Sequence, residues 1–500
     1  MPASSSVILR IAELMQQSGV KFGTSGARGL AVDMSDRVCY AYTLAFLHYL
    51  MNQGEIKVGE RVAIAGDYRP SSPRIMAATA MAVRDAGCEP LNCGFIPSPA
   101  VALYGIRNNI ASLMVTGSHI PDDRNGIKFN KPTGEILKQD EQGISAASVT
   151  IPTGRFDDEG RASDPAPLPA EDDSAYRAYV QRYLEFFPSA CLAGVKVGVY
   201  EHSSVARSAL GGIFAGLGAE VEKLGHSDIF IPVDTEAVRD EDVALAKKWA
   251  REQHFDCIIS ADGDGDRPLV SDADGNWLRG DVAGILTARY LGADTVATPV
   301  SSNSALEKSG WFSRIERTRI GSPYVIAAME QALAEGGDRV VGYEANGGFL
   351  IASDITLNDR TLPALPTRDA AIVPLAVLML ARQQGVSIAG LLQQLPQRFT
   401  HSDRLKEFPS ELSQARIGAF NSGDFDQDKV AIESAFGEFG QVTAIDRTDG
   451  LRITFDSDEV VHLRPSGNAP ELRCYNEAAS AERAVEMNRR CMQIMAGWRT

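Results

Sequence analysis

The sequence lacks long hydrophobic runs, and its cysteines do not form closely spaced pairs. No stretch of the 500 residues reaches the roughly 18 consecutive apolar positions that a membrane-spanning helix requires, so no membrane partner is expected. The 7 cysteines are scattered, odd in number and without a C-x-x-C pair, which argues against disulfides and structural zinc. This usage is typical of the reducing cytosol, and the N-terminal stretch does not resemble a signal peptide. A cytoplasmic location is therefore predicted.

The sequence also lacks an excess of basic residues. It has 49 Lys and Arg against 65 Asp and Glu, which gives a formal net charge of −16. Proteins that bind nucleic acids concentrate Lys and Arg to neutralise phosphates, so a nucleic-acid partner is not expected. A small anionic substrate is compatible with this charge, because a local basic pocket can form in an acidic protein.

Three stretches repeat one pattern, which consists of a strand, a loop with two serines, a helix, a glycine and a second strand. They begin near Arg61, Val195 and Asp294, and their serine pairs are 71–72, 203–204 and 301–302. Serine is a good N-cap, so we expect these pairs to begin the helices. Strands that alternate with helices predict βαβ units. The pattern predicts three similar α/β domains in tandem, with mixed, mostly parallel sheets.

The end of the chain has a different pattern. Short strands surround a turn signal at Asp449-Gly450, and a helix is predicted over about Ala481–Ala496 with Ser480 as its cap. This predicts a smaller α+β domain at the C-terminus. The acidic, proline-rich stretch 157–174 is predicted to be a linker. The predicted domains span residues 1–160, 170–276, 277–392 and 396–500.

The stretch "CIISADGDGDRP" carries three closely spaced carboxylates. A strand predicted over 257–260 leads directly into them, and they are Asp262, Asp264 and Asp266. Three such charges repel one another unless a hard divalent cation takes oxygen ligands from all three. An EF-hand is excluded, because its sixth position requires Gly and here holds Arg267. An acidic turn without an ion is the alternative. The position after a strand favours a Mg²⁺ site, since catalytic loops in open α/β sheets follow the strands.

The stretch "MVTGSHIPDDRNGIKF" places Ser118 directly after an apolar strand, between Gly117 and His119. A serine that acts as a nucleophile or phosphoryl carrier needs nearby positive charge and a cation, and Lys128 is close in sequence. The alternative is a capping serine in a tight turn. A hydrolytic Ser-His pair is not expected from adjacent residues, because they rarely adopt the required geometry.

Two glycine-rich loops have the residue types needed for sugar and phosphate recognition. In "GYEANGGF", Glu344 and Asn346 combine a carboxylate with a carboxamide and can bind vicinal hydroxyls of a sugar. In "LRPSGNAPELR", arginine, hydroxyl and backbone amide groups can form a phosphate cradle. The alternatives are a solvated turn and a hairpin with surface arginines. The predicted cradle residues are Arg464, Ser466, Gly467, Asn468 and Arg473.

These motifs, in this order, resemble the α-D-phosphohexomutase superfamily, the phosphomannomutase/phosphoglucomutase group. The resemblance covers nearly the whole chain and implies three similar α/β domains and a fourth domain around a central cleft. It implies that Ser118 is the phosphorylated residue, with His119 and Lys128 beside it. It also implies that Arg28 of "KFGTSGARG" reaches the active site.

The same resemblance implies the roles of the other motifs. Mg²⁺ is expected on the three aspartates and on the phosphate of Ser118, and Arg267 is expected to face the substrate. Glu344 and Asn346 are expected to bind the sugar hydroxyls. The phosphate that does not react is expected to be bound by Arg464, Ser466, Gly467 and Asn468.

Some positions depart from the pattern of this group. Gly117 stands where Ala is usual, and Ile120 stands where Asn is usual. Asn346 stands where Ser is common, and Ala469 where Glu is usual. Gly348 occupies a place where some members carry His. None of these departures removes the serine, the aspartates or the arginines, so an active enzyme is expected.

The implied reaction interconverts hexose 6-phosphate and hexose 1-phosphate through a phosphoserine enzyme and a hexose 1,6-bisphosphate, which is also the expected activator. Mannose phosphate is the first choice of substrate, glucose phosphate the second and glucosamine phosphate the third. Lys128 is the first candidate for proton transfer or charge neutralisation, and Arg28 is the second. A metal-dependent sugar-phosphate phosphatase and an inactive sugar-phosphate binding protein are the alternatives. A monomer or a homodimer is expected.

Overall fold

The computed structural model of the protein describes residues 6–23, 26–165, 167–466 and 470–499. Each of the three repeated stretches forms the centre of one sheet. In the first sheet the order is β5 (Glu89–Asn92), β4 (Arg61–Gly66), β6 (Ser112–Val115) and β7 (Arg124–Lys131). In the second it is β11 (Glu220–His226), β10 (Lys196–His202), β12 (Cys257–Ala261) and β13 (Pro268–Val270). In the third it is β15 (Arg314–Thr318), β14 (Thr295–Pro299), β16 (Val340–Tyr343) and β17 (Phe349–Ile351). In each order the first three strands are parallel and the fourth is antiparallel. The predicted mixed sheets are thus confirmed, and parallel pairing is confined to three strands in each sheet.

The first region adds antiparallel strands to its repeated unit. Its elements are β1 (Ser6–Arg10), α1 (Ile11–Ser18), β2 (Lys21–Phe22), β3 (Gly26–Leu30), α2 (Asp36–Gln53), β4 (Arg61–Gly66), α3 (Ser72–Asp85), β5 (Glu89–Asn92), α4 (Ser98–Asn108), β6 (Ser112–Val115), β7 (Arg124–Lys131), β8 (Gly134–Glu135), α5 (Lys138–Ser145) and β9 (Ser148–Pro152). Strands β3, β2 and β8 extend the sheet beyond β7. Strands β1 and β9 form a separate antiparallel ribbon.

The second and third regions follow the same plan. The second contains α6 (Ser174–Phe186), β10 (Lys196–His202), α7 (Arg207–Gly216), β11 (Glu220–His226), α8 (Asp240–Gln253), β12 (Cys257–Ala261) and β13 (Pro268–Val270). The third contains α9 (Gly280–Tyr290), β14 (Thr295–Pro299), α10 (Ala305–Lys308), β15 (Arg314–Thr318), α11 (Ser322–Ala334), β16 (Val340–Tyr343), β17 (Phe349–Ile351), β18 (Ile355–Leu357), β19 (Arg360–Leu362), β20 (Leu365–Asp369), α12 (Ile372–Gln384) and α13 (Ile388–Leu392). Strand β20 joins the third sheet beside β17.

The fourth region has one antiparallel sheet of order β21-β25-β24-β23-β22. Its elements are β21 (Phe399–Leu405), α14 (Ser410–Gly418), α15 (Phe425–Phe436), a 3-10 turn (Gly437–Phe439), β22 (Val442–Asp446), β23 (Leu451–Phe455), β24 (Val460–Pro465), β25 (Leu472–Ala478), α16 (Ala481–Ala496) and a second 3-10 turn (Gly497–Arg499). The predicted cap of α16 is confirmed, because Ser480 Oγ accepts a hydrogen bond from the backbone N–H of Arg483 at 3.2 Å.

The hydrophobic core is continuous across the first three sheets. One cluster of buried side chains extends from Ala63 on β4 to Leu395 after α13, and includes residues of α4, α6, α7 and α12. A second cluster fills the other face of the first sheet, and the fourth region has a cluster of its own. The predicted limits between the first three domains therefore stay predictions, since no gap in the core marks them. Within the described residues, no helix is both long and apolar enough to cross a bilayer.

The pair 71–72 lies at the start of α3 as predicted, whereas the pairs 203–204 and 301–302 precede their helices. None of the pairs caps its helix through a side chain, so the predicted capping was wrong. Helices α3, α7 and α10 have no side-chain cap. Instead, the serines bond to the loops at the strand ends: Ser72 Oγ donates to Asp67 at 2.7 Å and Ser204 Oγ donates to the carbonyl of Asp262 at 2.7 Å. They fix the loops that carry the candidate active site.

Candidate active site

The candidate active site lies at the carboxyl ends of strands from three sheets. Strands β4, β6, β12 and β16 lead into loops that carry Asp67, Ser118, Asp262 and Glu344. Open α/β sheets place their functional loops at the carboxyl ends of strands, because these ends of neighbouring parallel strands lie on one edge. A hydrogen bond joins the loops after β6 and β12, and Arg368 on β20 pairs with both the loop after β12 and the loop after β16, as described next.

Ser118 has a backbone conformation that side chains rarely adopt. Its φ is +57°, in the left-handed region, and its exposed fraction is 1%. Its N–H donates to Thr116 Oγ1 at 2.7 Å, and its Oγ donates to Asp262 Oδ2 at 2.6 Å. A non-glycine residue held in this region is typical of functional sites, where the surroundings fix a strained conformation. The hydroxyl predicted to carry the phosphoryl group thus lies against the predicted metal loop.

The three aspartates form a buried cluster that fits a divalent cation. One carboxylate oxygen of each lies within 4.8 Å of the others. Burial and the charges of Asp264 and Asp266 raise the pKa of Asp262 well above its usual range. Burial acts in the same direction on Asp266, but the charges of Arg368 and Lys128 outweigh it and lower that pKa. Oδ1 of Asp264 and Oδ1 of Asp266 have no hydrogen-bond partner among the described residues, so each can serve as a metal ligand.

Lys128 connects the first region to the metal loop. It lies on β7, and its Nζ is 2.5 Å from Oδ2 of Asp264 and 2.5 Å from Oδ2 of Asp266. Its side chain is only 5% exposed, so the ammonium group interacts with these carboxylates in a poorly hydrated environment. The structure therefore brings Lys128 to the site, in a position to neutralise negative charge.

His119 is a neutral imidazole in this arrangement. Its Nδ1 is 2.8 Å from Nη1 of Arg267, and because a guanidinium can only donate, Nδ1 must accept and the proton lies on Nε2. Burial and the charge of Arg267 lower the pKa of His119 to about 3. Its Nε2 is 4.0 Å from Oδ2 of Asp234, which sequence analysis did not identify.

Arg28 lies opposite Gly126 on the neighbouring strand β7. Burial and the charges of Arg267 and Arg368 lower the pKa of Arg28 to about 10. No carboxylate of the described residues forms an ion pair with it, in contrast to Arg368. A cation near other cations and without a carboxylate partner is well suited to bind a phosphate.

The glycine-rich loop after β16 folds tightly around Glu344 and Asn346. The N–H of Glu344 donates to the carbonyl of Gly348 at 3.1 Å, and the N–H of Gly348 donates to Oδ1 of Asn346 at 2.9 Å. Glu344 is 4% exposed, and its Oε2 is 3.3 Å from Nη1 of Arg368. The Glu344 carboxylate is thus held by Arg368. Oδ1 of Asn346 bonds within the loop and stabilises the turn.

Arg368 links the sugar loop to the metal loop, and sequence analysis did not identify it. It lies on β20, and its Nη2 is 3.0 Å from Oδ2 of Asp266. A Cβ atom added at Gly348 would lie 2.7 Å from both Cδ and Cγ of Arg368. Some members of the group carry His at position 348. Here the glycine has no side chain, and Arg368 fills the space that one would occupy.

The predicted phosphate cradle lies on the fourth sheet. Arg464 on β24 is directly opposite Arg473 on β25, and Arg404 on β21 is opposite Arg473 on its other side. Opposite residues of adjacent strands share a face, so these arginines form one row. Arg464 pairs with Asp449 at 2.9 Å, and the N–H of Ser466 donates to the carbonyl of Glu471. Gly467 and Asn468 lie outside the described residues.

A cavity of about 260 Å³ separates this row from the reaction centre. Asp234 and Glu236 line it on one side, and Arg404 and Arg473 line it on the other. Since Asp234 also approaches His119, the cavity leads from Arg473 towards Ser118. The structure thus brings together the serine, metal and sugar loops by direct contact, and places Arg473 across a cavity from them.

Comparisons with known proteins show which family the chain resembles. Models of three domains of one family match the chain. They cover residues 19–153 ("Phosphoglucomutase/phosphomannomutase, alpha/beta/alpha domain I"), 279–399 ("alpha/beta/alpha domain III") and 422–493 ("C-terminal domain"). The phosphomannomutase of Sinorhizobium fredii is 43% identical over 472 residues, which cover 94% of this chain and 97% of the relative. The phosphomannomutase of Salmonella muenchen is 43% identical over 475 residues, which cover 95% of each chain.

A solved structure supports the same fold. A phosphoglucomutase/phosphomannomutase family protein from Burkholderia thailandensis superimposes with a TM-score of 0.69 at 19% identity, over 95% of this chain and 97% of that one. The chain therefore belongs to the phosphoglucomutase/phosphomannomutase family, within the α-D-phosphohexomutase superfamily. The resemblance inferred from the motifs, and the fold of three similar α/β regions with a C-terminal domain, are confirmed.

Proposed function

We propose that the protein is a cytoplasmic phosphohexomutase that interconverts hexose 6-phosphate and hexose 1-phosphate, with mannose as the preferred sugar. The observation that carries this proposal is the contact of 2.6 Å between Ser118 Oγ and Asp262 Oδ2, at the edge of a buried cluster of three carboxylates. The choice of mannose over glucose and glucosamine is supported by the two relatives at 43% identity, both of which are phosphomannomutases.

In the proposed reaction, phospho-Ser118 donates its phosphoryl group to the free C1 or C6 hydroxyl of the sugar phosphate. The bond from phosphorus to Ser118 Oγ breaks as the bond to the sugar oxygen forms. The sugar hydroxyl loses its proton, and Ser118 ends as a hydroxyl. The hexose 1,6-bisphosphate then turns round in the site and returns its other phosphoryl group to Ser118. No phosphate is consumed, and added bisphosphate acts as the activator.

Phosphoryl transfer depends on positioning and on neutralisation of charge. Mg²⁺ bound by the three aspartates would disperse the negative charge of the phosphoryl group. Lys128 and Arg267 both lie beside the carboxylate of Asp266, so they would stabilise that charge from the protein side. Arg28, which has no carboxylate partner among the described residues, binds the phosphoryl oxygens.

The proposed roles at the far end of the substrate follow from the residue types. Glu344 accepts hydrogen bonds from the sugar hydroxyls, and Asn346 keeps the loop in the shape that presents it. Arg464, Ser466 and Arg473 bind the phosphate that does not react, together with Gly467 and Asn468. Because the intermediate binds in two orientations, both phosphates must fit this cradle in turn.

The activity is tested with mannose, glucose and glucosamine 1-phosphates in coupled mutase assays with Mg²⁺ and catalytic hexose 1,6-bisphosphate. We expect the highest kcat/KM for mannose 1-phosphate. Equal or higher values for glucose or glucosamine would reassign the sugar. Release of inorganic phosphate at a rate that matches sugar turnover would identify a phosphatase instead.

The carrier role is tested with Ser118→Ala and with Ser163→Ala, an exposed serine, as the control. Losing a covalent carrier removes the whole reaction path, so kcat is expected to fall by a factor of at least about 10³. Ser163→Ala is expected to behave like the wild type. Mutase activity of Ser118→Ala within about tenfold of the wild type would exclude Ser118 as the carrier.

A further inference from the structure

We propose that Arg69 is the positioning residue that holds Ser118 in its reactive conformation, and that Gly117 is required because it leaves room for this arginine. The proposal rests on the proposed function, in which Ser118 carries the phosphoryl group. Arg69 follows β4, far from Ser118 in the sequence, and its side chain is 0% exposed. Its guanidinium contacts Asp67, Phe230 and the backbone of the serine loop, as described next.

The guanidinium of Arg69 binds the backbone of the serine loop at two points. Its Nη2 donates to the carbonyl of Ser118 at 3.0 Å and also donates to the carbonyl of Ile120. Its Nη1 forms a buried ion pair with Asp67. Because the charge is paired, Arg69 can stay buried while its remaining N–H groups fix the loop.

The same network fixes the other side of Ser118. Asp67 also accepts a hydrogen bond from Thr116 Oγ1 at 2.7 Å, and Thr116 Oγ1 accepts one from the N–H of Ser118 at 2.7 Å. Asp67 thus reaches the amide of Ser118 through Thr116 and its carbonyl through Arg69. A left-handed φ of +57° is costly for serine, and these bonds to both peptide groups stabilise it.

Gly117 is the position at which a larger residue conflicts with this arrangement. A Cβ atom added there would lie 2.7 Å from Cζ of Arg69 and 2.8 Å from its Nε. The guanidinium also packs on Phe230, whose ring centroid is 4.1 Å from Cζ. Since the guanidinium is also held by Asp67 and by the carbonyls of the serine loop, it can move away from a methyl group only by breaking these contacts.

Phe230 extends the arrangement to the metal loop. A Cβ atom added at Gly263, between Asp262 and Asp264, would lie 3.1 Å from Phe230 and 2.8 Å from the carbonyl of Ser118. Phe230 thus packs against both Arg69, which holds the serine loop, and the metal loop at Gly263. A displacement of Arg69 is therefore expected to change the position of Ser118 relative to the aspartates, and displacements of about 1 Å can reduce rates by about 10².

The test uses Arg69→Lys, Arg69→Met, Gly117→Ala and the double variant Gly117→Ala/Arg69→Met. For each, kcat and KM are measured in the mutase assay, and the single-turnover phosphorylation of Ser118 by hexose 1,6-bisphosphate is followed. Arg69→Met is expected to lower kcat and the phosphorylation rate by about 10², and KM is expected to change by less than about threefold. Arg69→Lys keeps the positive charge but loses the planar guanidinium with its several N–H donors. An intermediate loss of kcat is therefore expected.

The double variant separates a specific effect from general damage. Gly117→Ala is expected to lower kcat by about 30-fold when Arg69 is present and by less than about threefold when residue 69 is Met, because the steric conflict is then absent. Arg74→Met and Gly211→Ala are the controls: Arg74 forms an exposed ion pair with Asp36, and a Cβ atom at Gly211 would meet nothing within 4 Å. Both controls are expected to keep wild-type kcat.

Each outcome separates this proposal from the proposed function. Additive effects of the two substitutions would overturn the role of Arg69. If Arg69→Met failed to fold, a Gly117→Ala enzyme with wild-type kcat would still overturn it. A rise in KM with unchanged kcat would also overturn it, since a positioning residue does not bind substrate. Activity in Ser118→Ala would instead contradict the proposed function.

Discussion

The reaction centre and the phosphate cradle differ in how firmly their side chains are held. Ser118 is 1% exposed and Asp262 is 0% exposed, and each bonds to residues of another loop. In the cradle, the side chain of Arg464 is 17% exposed and that of Arg473 is 34% exposed. The groups that exchange the phosphoryl group are thus fixed by buried bonds, whereas the groups for the other phosphate have more access to water.

This difference matches what each region is proposed to do. A reacting serine must keep its distance to the metal loop in every turnover, because transfer rates depend steeply on geometry. The cradle must bind one phosphate, release it while the intermediate turns round, and bind the other. Partly exposed arginines can exchange a phosphate for water at a lower desolvation cost than buried ones. The comparison predicts kcat effects at the centre and KM effects at the cradle.

The largest effect is expected at the metal loop. Asp264→Asn removes a charge from the buried carboxylate cluster, and kcat is expected to fall by about 10³, because metal ions contribute several kcal/mol to stabilisation of transition-state charge. Titration calorimetry with Mg²⁺ is expected to show weakened binding, with Asp274→Asn, an exposed aspartate nearby, as the control. Unchanged Mg²⁺ affinity in Asp264→Asn would show that the cluster does not bind the ion.

The next effect concerns the contact between the sugar loop and the metal loop. Gly348→Ala places a methyl group 2.7 Å from Cδ of Arg368 and is expected to lower kcat/KM for mannose 1-phosphate by about 30-fold. Part of this loss is expected in KM, because Arg368 pairs with Glu344. Gly418→Ala is the control, since a Cβ atom there would meet nothing within 4 Å. If both variants retained wild-type kinetics, the close packing of Gly348 on Arg368 would have no functional role.

A smaller effect is expected in the cradle. Arg464→Ala removes charge-assisted hydrogen bonds worth about 1.5–3 kcal/mol, so KM is expected to rise by about 10–100-fold with kcat changed by less than about threefold. Arg404→Ala is expected to raise KM by about threefold, because its side chain is 50% exposed. Arg490→Ala, which breaks an exposed ion pair with Glu438, is the control. If Arg464→Ala lowered kcat and left KM unchanged, the proposed difference between the reaction centre and the cradle would be wrong.

The smallest effect is on stability and concerns two buried histidines, one in the second region and one in the fourth. Burial lowers the pKa of His202 to about 4 and the pKa of His462 to about 4. Nε2 of His202 bonds to the carbonyl of Ala261, and Nε2 of His462 bonds to the carbonyl of Asp449. Both rings are neutral in the folded protein, but the unfolded chain binds protons below about pH 6.5, so the free energy of unfolding decreases as pH falls from about 6.5 to about 4.

Thermal unfolding between pH 4 and pH 8 measures this effect. Glutamine keeps an N–H donor and does not titrate, so His202→Gln and His462→Gln are expected to lose less stability on acidification than the wild type. Above pH 7 neither substitution is expected to change the pH dependence. Parallel curves for variants and wild type across the acid range would show that these histidines are not the groups that titrate.

The motifs could be predicted because each is a short segment with its chemistry in adjacent residues. The repeated units were recognisable at Arg61, Val195 and Asp294, which lie at or just before the first strand of each parallel unit. The metal aspartates and Ser118 also directly follow strands. Their contact was implied by family resemblance, and the structure now provides its geometry.

The supporting residues could not be predicted, because their partners are distant in sequence. Arg69 and Arg368 interact with loops that follow other strands, and no local pattern links them to Ser118 or Glu344. Gly117 and Gly348 were visible as departures, yet their reason is steric and exists only in three dimensions. The serine pairs were misinterpreted for the same reason, since their hydroxyls bond to loops of tertiary structure rather than to the next helix.

The separate hydrophobic core of the fourth region has a consequence for how the cleft can open. A hinge among the first three regions would expose apolar side chains to water, because one core connects them. Between the third and fourth regions, polar contacts such as Ser304 N–H to Glu477 at 2.9 Å and Arg398 to Glu477 at 2.7 Å can be replaced by water. Opening of the cleft before β21 would therefore expose less apolar surface than opening among the first three regions, and it would leave the contacts of the reaction centre in place.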